Sequence, residues 1–212
     1  MNTKEKKFNE YIEEKLNEAF VLFDQGRLNE EELLYNECLN VVEDRNADEY
    51  AQILHGLGYV KAAQRNYGVA REHYSELLDI AITNGQEMDH CVAVHQLGMV
   101  ERMASCYEKA EQMFQLEAKL LKEYGIASAV NWSANYYEQG YVALMQKKLE
   151  LAEKFMKESL NFAKESADDV CLGCAYRGLG EFYIANNHET LAKEFFQYSL
   201  DAFERANDVM AI

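Results

Sequence analysis

The sequence predicts an all-α protein, a right-handed superhelical solenoid of about five antiparallel helix pairs. Three observations lead there. Among 212 residues there is no proline, the residue that breaks helix interiors. The good helix formers Ala, Leu, Glu, Lys, Gln and Met are abundant, and alternation of Val, Ile and Thr at the two-residue period of a strand is missing. The third observation is that the chain repeats itself.

Four segments align without gaps: Leu54-His55-Gly56-Leu57-Gly58, Val94-His95-Gln96-Leu97-Gly98, Tyr136-Tyr137-Glu138-Gln139-Gly140 and Tyr176-Arg177-Gly178-Leu179-Gly180. Each final glycine is followed 12 residues later by an alanine: Ala70, Ala110, Ala152 and Ala192. Four residues further stands a large apolar side chain: Tyr74, Phe114, Met156 and Phe196. The glycine-to-glycine steps are 40, 42 and 40 residues. A degenerate copy precedes them, with Ala19, Glu31 and Tyr35 at the three positions. Glycine inside a helix costs about 1 kcal/mol relative to alanine. Four glycines at one register therefore mark places where helices cross closely, with the large residue filling the hole beside them.

Each repeat reads as two helices joined by a short polar turn. The turns fall near Gln25-Gly26-Arg27, Arg65-Asn66, Ser105-Cys106, Lys147-Lys148 and Asn186-Asn187-His188. One helix pair cannot bury its apolar face, but stacked neighbours can. The expectation is a single domain, 1–212, built from units at about 8–46, 47–85, 86–125, 126–167 and 168–206. Glu204-Arg205-Ala206-Asn207-Asp208-Val209 echoes Glu165-Ser166-Ala167-Asp168-Asp169-Val170, so 207–212 reads as the start of a truncated sixth unit. An end face left open in this way points to homodimerisation through the C-terminal end.

Composition narrows the function classes. Lys plus Arg number 21 and Asp plus Glu 37, a net charge of −16. Nucleic-acid binding draws its affinity from cations that neutralise phosphates, so neither nucleic acid nor an anionic membrane is an expected partner. The largest basic cluster is Lys4, Lys6 and Lys7, with no apolar stretch behind it of the kind a signal peptide requires. No run approaches the roughly 18 apolar residues of a membrane helix. Five scattered cysteines, Cys38, Cys91, Cys106, Cys171 and Cys174, suit reduced thiols in the cytoplasm.

The pattern of a small residue, an alanine 12 on and a large apolar residue four beyond resembles the tetratricopeptide repeat (TPR), over about residues 12–206. The units are longer than the family's usual 34 residues and lack its closing proline. In this they are similar to the long-unit repeats of kinesin light chains and bacterial Rap-type peptide receptors. The resemblance implies a non-catalytic protein- or peptide-binding module; the alternative it implies is a peptide-sensing regulator of the Rap type lacking its output domain. It also implies a concave groove lined by the first helix of each pair, three residues before, one after and four after the signature small residue. Those positions are Leu16, Phe20 and Phe23; His55, Tyr59 and Ala62; His95, Met99 and Arg102; Tyr137, Tyr141 and Leu144; Arg177, Glu181 and Ile184. The candidate ligand residues are His55, Tyr59, His95, Met99, Arg102, Tyr137, Tyr141, Arg177 and Glu181. Aromatics and arginine concentrate binding energy, and inward cations in so acidic a chain suit an acidic group or a free C-terminus on the partner.

Other constellations carry little. Cys171 and Cys174 have C-x-x-C spacing, but no second pair or neighbouring histidine completes a zinc set, and the strand that precedes a redox motif is missing. His90 and His95 lie five apart, a poor match to a helical metal pair, whereas His55 and His95 hold equivalent positions in adjacent units. No phosphate-binding, dinucleotide, nucleophile-elbow or zinc-protease motif occurs. No cofactor, metal or catalytic residue is expected. Trp132, early in a first helix, reads as a packing residue.

Overall fold

The computed structural model describes residues 3–206 as ten helices. They are α1 (Thr3–Asp24), α2 (Leu28–Leu39), α3 (Asp48–Ala63), α4 (Tyr67–Asn84), α5 (Glu87–Met103), α6 (Tyr107–Glu123), α7 (Ala129–Met145), α8 (Leu149–Ser166), α9 (Asp169–Ala185) and α10 (Glu189–Ala206). The expected sixth unit at 207–212 lies outside the described residues. Contacts divide the chain into two compact units, the first ending at Ala104 and the second beginning at Ser105.

The first unit holds α1–α5, with consecutive helices packed on one another and α1 also reaching α3. Its core runs from Ile12, Cys38, Ile53 and Leu57, with Leu16, Tyr35, Leu39 and Val42 against them, to Ala62, Ala70, Tyr74 and Val100. In the second unit α7 packs on α8, α8 on α9, α9 on α10, α6 on α7, and α7 directly on α9. Ala143, Leu144, Ala152 and Phe182 form one of its cores, with Leu151, Phe155 and Tyr183 alongside.

Two kinds of turn connect the helices, and except between α2 and α3 each passes through a left-handed residue. The turn inside each pair has positive φ at Gly26 (68°), Arg65 (62°), Ser105 (60°), Lys147 (60°) and Asn187 (60°), one position in five copies. In the Lys147 turn the Lys147 N–H donates to the Leu144 carbonyl (2.9 Å) and the Lys148 N–H to the Ala143 carbonyl (2.9 Å). Such bonds satisfy carbonyls that a helix end leaves open. Three of the four turns between pairs use Gly85 (φ 66°), Gly125 (66°) and Ala167 (53°). Helix starts rely on first-turn carboxylates such as Asp48, Glu49, Glu87 and Asp89. Among the helix starts whose caps are described, Ser128 accepts from the Asn131 N–H (3.3 Å) and Asp168 from the Cys171 N–H (2.8 Å).

A left-handed conformation costs a residue with a Cβ about 1–2 kcal/mol, and glycine almost nothing. Lys147→Gly and Ala167→Gly are therefore each expected to stabilise the protein by about 0.5–1 kcal/mol. Chemical denaturation of the two variants and their double mutant checks this, and additive gains are expected.

The signature glycines sit where helices touch. A Cβ placed on Gly58 would lie 2.6 Å from the Tyr74 ring, on Gly180 2.6 Å from the Phe196 ring, and on Gly140 3.0 Å from the Met156 side chain. Ala70, Ala110, Ala152 and Ala192 are fully buried, and Gly98 is buried too. In the first pair the same arrangement is shifted. Ala19 is buried, and Tyr35 packs against Gly56, where a Cβ would stand 2.2 Å from its ring. At Gly173 the backbone is approached twice: its carbonyl accepts from the Ser199 hydroxyl (2.8 Å), and a Cβ there would meet the Phe203 ring at 2.5 Å.

Candidate functional site

On the first unit, the stripe of α1 and α3 carries an aromatic group at the surface. Phe20 lies 6.4 Å from Phe23, and Phe23 meets Tyr59 edge-on at 5.1 Å. Phe20 is 62% exposed and Tyr59 37%, so both rings present apolar area to solvent. His55, one turn before Tyr59, is half-buried and sits edge-on to the Tyr74 ring at 5.8 Å. Its carbonyl accepts from the Tyr74 hydroxyl (3.3 Å). Burial pulls the His55 imidazole below the ordinary histidine range, because the charged form is the one that loses solvation. His95, Met99 and Arg102 lie half-buried along α5.

His55 opens onto a cavity of about 400 Å³ framed by α3, α4 and α5. Ala51, Leu77, Ile80, Ala81, Val92 and Ala93 supply its apolar surface. Gln52 and Gln96 supply amides from facing helices, and Asp48 and Asp89 supply carboxylates near the two helix starts. A pocket with apolar walls and a few convergent polar groups is the usual form of a ligand site. Of the nine candidate ligand residues only His55 lines this cavity. The repeat stripe does not reach Gln52, Asp89 and Gln96. Gln52 is one helical turn before His55 on the same face, so extending the stripe by one turn finds it.

On the second unit, the candidate residues contact one another. The Arg177 Nη2 donates to the Tyr137 hydroxyl (3.2 Å) and approaches the Cys174 Sγ (3.9 Å). Its guanidinium carbon lies 5.7 Å from the centre of the Tyr137 ring and 6.0 Å from that of Phe203. Tyr137 and Tyr141 are neighbours at 6.5 Å. Burial pushes the Tyr137 hydroxyl well above the usual phenol range. Glu181, one turn beyond Arg177, is half-buried. Part of the binding capacity of Arg177 is thus used inside the fold, while its buried Nε has no hydrogen-bond partner.

Trp132 packs on Phe162 at 6.1 Å and Tyr136 at 5.9 Å, and its indole N–H donates to the Ile126 carbonyl (3.2 Å). Cys171 and Cys174 are free thiols, and burial raises Cys171 to about 11, which keeps it protonated and unreactive at neutral pH. Among the described residues, no three His, Cys, Asp or Glu side chains converge as a metal site requires, and no helix is long and apolar enough to cross a membrane.

No protein-family model matches the sequence, and no curated protein matches it. Solved structures do. BtubC (BKLC) from P. vanneervenii is similar over 90% of this chain and 78% of its own, with a TM-score of 0.66 at 18% identity. A Podosopora anserina putative kinesin light chain with nearly identical TPR-like repeats matches over 93% of this chain and 97% of its own, at TM-score 0.64 and 11% identity. The apo form of RapI matches over 93% of this chain and 85% of its own, at TM-score 0.65 and 13% identity. With the register of glycines, alanines and large apolar residues at the helix crossings, this likeness establishes the architecture: the chain has an all-α, tetratricopeptide-like helical-repeat fold.

Proposed function

We propose that the protein is a non-catalytic binding module that holds an extended peptide segment of a partner protein against the first helices α1, α3 and α5 of its first unit. The observation that carries this reading is the cavity framed by α3, α4 and α5. Its wall amides Gln52 and Gln96 each offer a donor and an acceptor, which matches the alternating groups of a peptide backbone. The exposed rings of Phe20 and Tyr59 lie on the same stripe of the repeat and supply the aromatic anchors that concentrate binding energy.

The test is an affinity capture with the full chain, followed by mass spectrometry, run beside Gln52→Phe. Gln52 is exposed, so the substitution fills the cavity mouth without disturbing the core. Proteins recovered with the natural chain and lost with Gln52→Phe, at unchanged helicity, are the expected result. Equal recovery by both would remove the cavity from the interaction.

A further inference from the structure

We infer that the cavity of the first unit receives a cationic group of the bound peptide, a guanidinium or an ammonium. This rests on the peptide-binding reading above and adds the charge of the ligand. The charged side chains lining the cavity are Asp48 and Asp89, and no lysine or arginine is among the lining residues. His55, the other titratable lining group, is kept neutral at pH 7 by burial, so it adds no competing cation.

The starts of α3 and α5 stand at this cavity, and each brings about half a positive charge from its helix dipole. Against those two half-charges the first turns place four carboxylates: Asp48 and Glu49 on α3, Glu87 and Asp89 on α5. The local balance is therefore negative. The nearest arginine in sequence, Arg45, is engaged elsewhere: it pairs with Glu76 (3.3 Å) and lies over the Tyr50 ring.

The shape agrees with the charge. Leu77, Ile80, Ala81 and Ala93 form an apolar bed under the polar rim. Arginine and lysine have this division, with an aliphatic stem that packs on apolar surface and a charged head that seeks carboxylates. The inward arginines Arg102 and Arg177, which by themselves suit an acidic partner, do not line this cavity.

The experiment is a titration of the ¹⁵N-labelled full chain with four pentapeptides, read by amide chemical shifts. They are acetyl-Ala-Ala-Arg-Ala-Ala-amide, its neutral citrulline isostere, its glutamate counterpart, and the citrulline peptide with a free α-amine. The arginine peptide is expected to shift the amides of Gln52, His55, Asp89 and Gln96. It should bind about 3- to 10-fold tighter than acetylated citrulline at low salt, as expected for exposed carboxylate partners. Asp48→Asn/Asp89→Asn is expected to bring that preference below about 2-fold, as is a high concentration of salt. Both residues are exposed, and Glu49 and Glu87 remain in the two first turns, so the variant is expected to keep the fold, which unchanged circular dichroism checks. If the free-amine citrulline peptide binds as well as the arginine peptide, the cationic group is assigned to a peptide N-terminus rather than a side chain. Equal shifts by arginine and citrulline, or tighter binding of glutamate, overturn the inference and leave the peptide-binding reading standing. No shift with any peptide overturns both.

Discussion

Asn135→Ala is expected to destabilise the second unit by about 3–5 kcal/mol, among the largest losses for any polar residue in the chain. Asn135 is 0% exposed. Its Nδ2 donates to the Phe114 carbonyl (2.8 Å) and to the Glu117 carboxylate (2.7 Å). Its Oδ1 accepts from Gln139 Nε2 (2.5 Å). Glu117 and Gln139 are themselves buried. A hydrogen bond to a charged group contributes about 1.5–3 kcal/mol and a neutral one about 1, and orphaned buried partners add their desolvation cost. The loss reads out as a lower urea midpoint at unchanged slope. The companion Glu117→Leu/Asn135→Leu removes the buried carboxyl group together with its donor. It should recover part of the loss, since no carboxylate is left buried without its donor, while Gln139 and the Phe114 carbonyl still lose their partner. An Asn135→Ala variant within about 1 kcal/mol of the natural chain would show that water or side-chain movement replaces the network.

That network also shows where sequence reading stops. The glycine register was legible because the crossing imposes the same demand in every copy. Gly58 faces Tyr74, Gly140 faces Met156 and Gly180 faces Phe196. The positions equivalent to Asn135 in the other glycine-bearing repeats are Ile53, Ala93 and Ala175, so their periodicity marks that place as apolar and says nothing of a polar exception. The left-handed turn was invisible for a related reason. Gly26 and, less strongly, Asn187 are residues the conformation favours, while Arg65, Ser105 and Lys147 adopt it at a local cost, which the hydrogen bonds of the turn outweigh at Arg65 and Lys147. The stripe of candidate ligand residues was legible as a face but not as a site. Whether Tyr137 is open to a ligand depends on Arg177, 40 residues later, which bonds to it. Spacing along one helix carries no information about what the next helix lays over it.

Glu31→Gln is expected to stabilise the first unit by about 1–3 kcal/mol at pH 8 and to remove a pH dependence that the natural chain carries. Glu31 occupies the position held by Ala70, Ala110, Ala152 and Ala192 in the other repeats, and it is only 2% exposed. Its Oε2 is buried without a hydrogen-bond partner, while the Tyr35 hydroxyl one turn on donates to the carboxylate. Burial dominates and raises the carboxyl to about 7 from an ordinary 4.5. The folded chain therefore binds a proton that the unfolded chain has released. Stability falls as pH rises from about 4.5 to about 7 and is flat above. A tenfold change in a carboxyl's acidity corresponds to about 1.4 kcal/mol, so the full penalty is of the order of 3 kcal/mol. Glutamine keeps an acceptor for Tyr35 and removes the charge, but its amide N–H groups need acceptors of their own, which reduces the gain. Thermal unfolding followed at pH 5 and pH 8 separates the contributions. The natural chain should lose stability between the two relative to Glu31→Gln, and Glu31→Gln should melt several degrees higher at pH 8. Parallel pH profiles for the two proteins would mean that Glu31 stays ionised in the fold and that its carboxylate is satisfied by solvent.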